Sequence, residues 1–292
     1  MRQVDLNEHV NESFVRGGSP ADFAVERAPV WHRVGDRLVE WPERHVVRRA
    51  DNAQPLAVVS DRYRLVTHTE VLTGVEEAIA GLDCGPVPRG VYVEAGGRQM
   101  RALFKFPGLA ARLPQRALDA GYSDEICPMI QVRNAYDGTS RVAFLGGAFR
   151  FVCTNFAVGG GGAFAMGFMS VHAGDVEVKA AAGYMRQYLS EFDRVVALYA
   201  AWLDRSVPLQ AVASVVEECV PQQKYSRAIA ELSGARARAG EVTVFDAYNA
   251  ATQVITHQTR SATVAMGLLE KVNARWQKEW PGPQAALVEE GV

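Results

Sequence analysis

Five basic residues, Arg101, Lys105, Arg133, Arg141 and Arg150, fall at alternating positions of segments that read as β-strands. In a half-buried sheet this alternation sends one set of side chains to the core and the other to water. The five are therefore expected on one solvent face, with no acidic residue among them. Such a face suits a phosphate backbone. Close by in sequence are four consecutive glycines, 159–162, followed by an apolar stretch containing Phe164 and Phe168. Aromatic side chains on a glycine-rich loop can stack on bases. A second, polar group gathers at adjacent strand ends: Asn134, Asp137, Ser140, Cys153, Thr154 and Asn155. Asp137-Gly138 reads most simply as a turn pair, and Cys153 has no neighbouring base to activate a nucleophile. His172 is either a ligand or base, or, more simply, a histidine at a helix entry. No HExxH, GxSxG, DxD or paired-cysteine motif occurs. The glycine run lacks the Lys-Ser/Thr of a P-loop and the spacing of a dinucleotide fingerprint. No catalytic residue, metal or cofactor is expected.

The elements that must position these residues follow from the pattern. Residues 1–28 read as a polar lead-in, and Ala28 to Gly35 as a short apolar segment with a turn. Residues 44–50 and 56–60 read as paired strands, and Thr67 caps a helix from about Thr69 to Ala80 that Gly81 closes. A hairpin runs 91–95 to 98–106 through Gly96-Gly97, with Met100, Ala102, Phe104 and Phe106 on one face. A polar connector spans 109–124. Strands follow at 126–134 and 140–145, joined by the turn Tyr136-Asp137-Gly138-Thr139; Gly146-Gly147 is expected to break the second, and 149–154 continues. After His172 the period changes to helical. One long helix is expected over 175–205, ended by Pro208, then helices at 209–219, 224–232, 243–257 and 261–280. The fold class is α+β: a twisted antiparallel sheet with a hairpin, packed with a long helix and a helical C-terminal region. The divisions are a lead-in over 1–28, a β-rich domain over 29–172, a helical region over 173–280 and a tail over 281–292.

Composition bounds the function. The chain has 292 residues, 48% of them apolar and 22% charged, with a net charge of −2. This is ordinary globular composition and excludes disorder or a collagen-like repeat. The near-neutral total hides an uneven distribution. Residues 89–150 carry nine basic and five acidic residues, and the rest of the chain 22 basic against 28 acidic. Cys84, Cys127, Cys153 and Cys219 form no close pair, the first twelve residues contain no apolar signal core, and no apolar run approaches the roughly 20 residues of a membrane span. A reducing cytoplasm is the expected setting, with no membrane partner.

Several segments together resemble the phage/plasmid-like proteins of domain of unknown function 932. They are Pro29-Val30-Trp31-His32 with Gly35, Arg49 to Asn52 leading to Leu56 to Tyr63, Val132-Arg133-Asn134-Ala135-Tyr136-Asp137-Gly138-Thr139-Ser140, Arg150 to Asn155, His172, and Asp246 to Thr252. Their order and spacing match over about 29–260. The family's motif residues then fall on Asn134, Asp137, Gly138, Cys153, Asn155 and His172. The chain departs from the usual Ser-His before Asp-Gly, carrying Ala135-Tyr136 there, and from a more regular stretch where it has four glycines. The resemblance implies a mobile-element protein and no settled activity. The architecture is similar to that of ring-forming single-strand annealing proteins, at the level of fold plan alone. Two expectations stand. One is a non-catalytic protein that binds single-stranded DNA through the basic sheet face and self-associates into an oligomer or ring. The other is an assembly or host-takeover module that binds protein instead.

Overall fold

The computed structural model describes residues 21–115, 125–139, 142–150, 156–158, 167–170, 178–220, 222–259 and 262–282. Near the N-terminus, segments rich in Val, Trp and Arg pair as strands. They are β1 (Val25–Val34), β2 (Arg37–Arg49) and β3 (Pro55–Ser60), antiparallel in the order β1-β2-β3. Gly35-Asp36 forms a two-residue connection between the facing pair Val34 and Arg37, with Gly35 at φ 61°. The lead-in therefore ends earlier than expected: Ala21 and Phe23 are buried and β1 begins at Val25.

The central element is a seven-stranded antiparallel sheet. Its path runs β10 (Gly167–Ser170), β8 (Val142–Arg150), β7 (Glu125–Ala135), β5 (Gln99–Lys105), β4 (Arg89–Glu94). Short β6 (Ala111–Arg112) pairs with β7, and β9 (Phe156–Val158) with β8. A further two-stranded ladder joins β11 (Ser206–Pro208) to β12 (Glu241–Thr243).

Helix α1 (His68–Ala80) starts in a complete capping box: Thr67 accepts from the Glu70 amide, and the Glu70 carboxylate accepts from the Thr67 amide at 2.6 Å. The expected 175–205 helix is two helices, α2 (Val178–Ser190) and α3 (Asp193–Asp204). The chain turns at Glu191-Phe192, where buried Phe192 meets the Tyr188 ring edge-on, with centroids 6.2 Å apart. Then come α4 (Leu209–Cys219), α5 (Gln223–Arg236), α6 (Val244–Gln258) and α7 (Ala262–Glu279). None of the described helices is long and apolar enough to cross a membrane.

Helices cover both faces of the sheet. The Met100, Phe104, Ile130 and Phe144 face takes α1 and α2. Here Gly146 permits close approach: a Cβ at this position would lie 2.5 Å from the Tyr188 ring. The Tyr184 hydroxyl accepts from the Gly146 amide, and the Tyr188 hydroxyl donates to the Gly147 carbonyl. Gly146-Gly147 therefore does not break the strand. It is where a helix docks, and β8 runs through it without a register shift. The opposite face meets α7 through Arg133 and Glu270. One buried apolar cluster extends from Val71 and Val75 of α1 through the sheet to Trp202, Tyr248 and Trp276 of the helices, so the fold is α+β with sheet and helices sharing a core.

Candidate functional site

The predicted basic face is the first place where sequence and tertiary structure part. Arg101 stands directly opposite Arg133 across β5 and β7, and Lys105 opposite Met129, so these three do share one face. That face does not meet water. Lys105 is only 8% exposed and the Arg133 side chain 17%, and Glu270 of α7 forms an ion pair with Arg133. Burial first, and Arg101 second, hold the Arg133 guanidinium down at about 10. Burial also lowers Arg101, against the opposing pull of Glu94, and pushes the Lys105 ammonium down to about 8. Arg150 ends β8, where the unbroken register pairs it with Ile126, because no bulge at the glycines resets the ladder. Phe168 stands in strand β10, in register with Phe144, rather than in a loop. Arg141, Cys153, Asn155, Phe164 and His172 lie outside the described residues.

The family-motif turn is a structural joint. Asn134 is buried at the end of β7. Its Nδ2 donates to the Val66 carbonyl at 3.1 Å and lies 3.0 Å from His68 Nδ1. With Nδ1 accepting, Nε2 carries the proton and donates to the Gly97 carbonyl at 3.1 Å. The His68 ring stacks on Tyr136, centroids 4.2 Å apart, and the Tyr136 hydroxyl accepts from the His68 amide. Phe23 meets the His68 ring edge-on, and the Arg49 guanidinium lies 4.2 Å over the Phe23 ring. Asp137 accepts from Thr139 and Gln99, which together hold its carboxyl below the usual range although burial opposes them; Gly138 takes φ 74° in the turn. Asn134, Asp137 and Gly138 thus tie β5 and β7 to the start of α1. Sequence reasoning missed His68, which sits inside the Thr67–Glu70 capping box and carries no motif of its own.

Sequence reasoning also missed an exposed feature, the far half of the β1–β2 hairpin. Strand β3 stops at Ser60, opposite Arg44, so beyond this point the hairpin is, among the described residues, a two-stranded ribbon. Between the pairs Pro29–His45 and Val30–Trp41, β2 holds three extra residues, Pro42, Glu43 and Arg44, and the ribbon departs from the sheet there. Every residue from Trp31 to Arg44 is exposed. One face carries Val30, Trp41, His32, Val39, Val34 and Arg37; the other carries Trp31, Glu40, Arg33 and Leu38. Trp31 is 53% exposed, Trp41 45% and Leu38 64%. His32 meets Trp41 edge-on at 6.3 Å, and the Arg44 guanidinium lies 5.6 Å over the Trp41 ring. The available signal was Gly35-Asp36 between two runs rich in Val, Leu, Trp and Arg, a two-residue hairpin signature.

Among the described residues no group of three or more His, Cys, Asp or Glu is placed to hold a metal ion. A family model described as Domain of unknown function (DUF932) matches residues 55–279, which places the hairpin arm ahead of the matched region. No curated protein and no solved structure matches the chain.

Proposed function

The chain belongs to the DUF932 family of domains of unknown function, and from that premise we propose that it is a non-catalytic, cytoplasmic protein that binds single-stranded DNA through the hairpin arm. One observation carries the reading: two exposed tryptophans, Trp31 and Trp41, are interleaved with exposed Arg33, Arg37 and Arg44 on a ribbon that, among the described residues, no third strand or helix covers. Single-strand binders combine aromatic platforms for bases with cations that track the phosphates, and a stacked base is worth about 1–3 kcal/mol. On each face of the ribbon a tryptophan has an arginine within one or two positions, so bases and phosphates of one strand find partners together. Annealing of strands during replication or recombination of a mobile element is the process such binding serves.

The test is fluorescence anisotropy of a labelled oligo-dT at low salt. Binding is expected, with tryptophan quenching. With three arginines engaged, log K falls against log salt with a slope of about −2. The double variant Trp31→Ala, Trp41→Ala is expected to lose binding by at least tenfold. Absence of binding by the intact protein, or undiminished binding by the double variant, overturns the reading. A second reading rests on the apolar side chains of the same arm. Val34, Leu38, Val39 and, at its base, Val58 are exposed and would suit self-association into a ring or another protein contact. Sedimentation of the protein without DNA separates the two: an oligomer that becomes monomeric in Val34→Ser, Leu38→Ser favours assembly.

A further inference from the structure

Helices α4 and α5 flank a cavity of about 510 Å³, a size that suits a small molecule. Along α4 its lining runs through Leu209, Ala213 and Glu217, each four residues from the last, with Val212 and Val216 beside them. Along α5 it runs through Arg227, Ala230 and Ser233, at a spacing of three. The middle position of both rows is alanine, which fills little of the space between the helices. Only residues 220–222 separate α4 from α5. Glu217, near the end of α4, and Arg227, near the start of α5, therefore lie toward one end of the cavity, and Leu209 and Ser233 toward the other.

Ser233 is fully buried, and its hydroxyl has no hydrogen-bond partner among the described residues. A serine within a helix commonly bonds back to a carbonyl three or four residues earlier. Ser214 and Ser226, on the same two helices, do so with the carbonyls of Gln210 and Gln223. Ser233 does not, and a bare buried hydroxyl is costly. The two charged groups are as unengaged. Among the described residues neither the Glu217 carboxylate nor the Arg227 guanidinium has an ion-pair or hydrogen-bond partner, and both residues are exposed. Between the polar ends the walls are apolar, with Val212 and Val216 almost fully buried. The cavity thus combines a cation and an anion at one end, an apolar middle, and a bare hydroxyl about 9 Å along α5 from Arg227 by helical rise.

We propose that this cavity binds a free α-amino acid whose large apolar side chain ends in a hydroxyl, as in tyrosine. The planar Arg227 guanidinium matches the two oxygens of its carboxylate, and the Glu217 carboxylate accepts from its ammonium. The ring lies against Val212 and Val216. The phenol hydroxyl, which both donates and accepts, satisfies Ser233. Other occupants satisfy fewer of these groups. A carboxylic acid without an amine sets its charge against Glu217, and an amine without a carboxylate sets its charge against Arg227. An apolar side chain from a partner helix fills the walls but leaves Ser233 bare. The site involves α4 and α5 alone and does not rest on the reading of the β1–β2 arm.

The test is a ligand-observed NMR titration of the full chain with L-tyrosine, L-phenylalanine, tyramine and 3-(4-hydroxyphenyl)propionate. L-Tyrosine is expected to bind. L-Phenylalanine, which lacks the hydroxyl, is expected to bind about threefold more weakly, and tyramine and the propionate, which each lack one charge, about tenfold more weakly. Each loss belongs to one residue. Ser233→Ala is expected to bind tyrosine no better than phenylalanine, Arg227→Met to bind tyrosine and tyramine alike, and Glu217→Gln to bind tyrosine and the propionate alike. Arg227→Met and Glu217→Gln change exposed side chains and are expected to unfold in urea as the wild type does, which keeps the test open if Ser233→Ala fails to fold. A wild type that does not bind L-tyrosine, equal binding of the four compounds, or variants that keep the wild-type order of preference overturns the proposal.

Discussion

Asn134 was singled out from sequence as part of a motif, and the structure explains it by bonding rather than by catalysis. Its amide spans from the end of β7 to the Val66 carbonyl and to His68. Asn134→Ala strands both acceptors in the interior and is expected to cost about 1–3 kcal/mol of stability, measured by urea unfolding. Gly146 was read as a strand breaker because glycine pairs usually are. Its function lies in the missing Cβ, since the Tyr188 ring occupies that space. Gly146→Ala is expected to destabilise by about 1–3 kcal/mol through overpacking, seen as a lowered denaturation midpoint. Lys105 gives a pH signature. Its ammonium is pushed down to about 8 by burial, from an ordinary value near 10.4. Between these values the unfolded chain binds more protons than the folded one, so Lys105 contributes increasing stability as pH rises. Its destabilising effect is present in full below pH 8 and is gone above about 10.4. The stability of Lys105→Met minus that of wild type, followed by urea unfolding from pH 7 to 11, is expected to be largest at neutral pH and to shrink across that window.

Elements with a local signal were readable from the chain. The capping box at Thr67 and Glu70 set the start of α1 within a residue, and Gly96-Gly97 and Asp137-Gly138 marked the turns after β4 and β7. The helical periods gave α4 and α6 almost to their ends. The break between α2 and α3 was not readable, because no Pro or Gly marks Glu191-Phe192 and it depends on how Phe192 meets Tyr188. The β1–β2 arm was half read. The strand over 44–50 was found, but the distal ribbon lacks the clean alternation of a half-buried strand because both of its faces are in water. Exposed positions contribute little to stability. The Trp31→Ala, Trp41→Ala variant is therefore expected to unfold within about 0.5 kcal/mol of wild type, checked by urea titration, while its DNA binding falls.

At the scale of the molecule, sheet and helices are joined by one buried cluster, with Trp276 at its helical end. Trp276 is fully buried between Tyr248 and Trp280, at centroid distances of 6.1 and 5.2 Å. Trp276→Ala is expected to cost about 3–5 kcal/mol. Because the core is continuous, far- and near-ultraviolet circular dichroism should report the loss at a single shared midpoint; two separated transitions would show that sheet and helices unfold independently. What the sequence by itself determined about this protein is its local grammar and its kinship: caps, turns, periods, an α+β plan and the family to which residues 55–279 belong. What only the tertiary structure decided is which surfaces meet water. A period of two says that the faces of a strand differ, and not what packs on each. Arg133, which alternation alone had assigned to solvent, is instead largely buried and paired with Glu270 of α7, far along the chain. The end of β3 at Ser60 left Trp31 and Trp41 uncovered, and that placement depends on strand pairing across the fold rather than on either residue's neighbours.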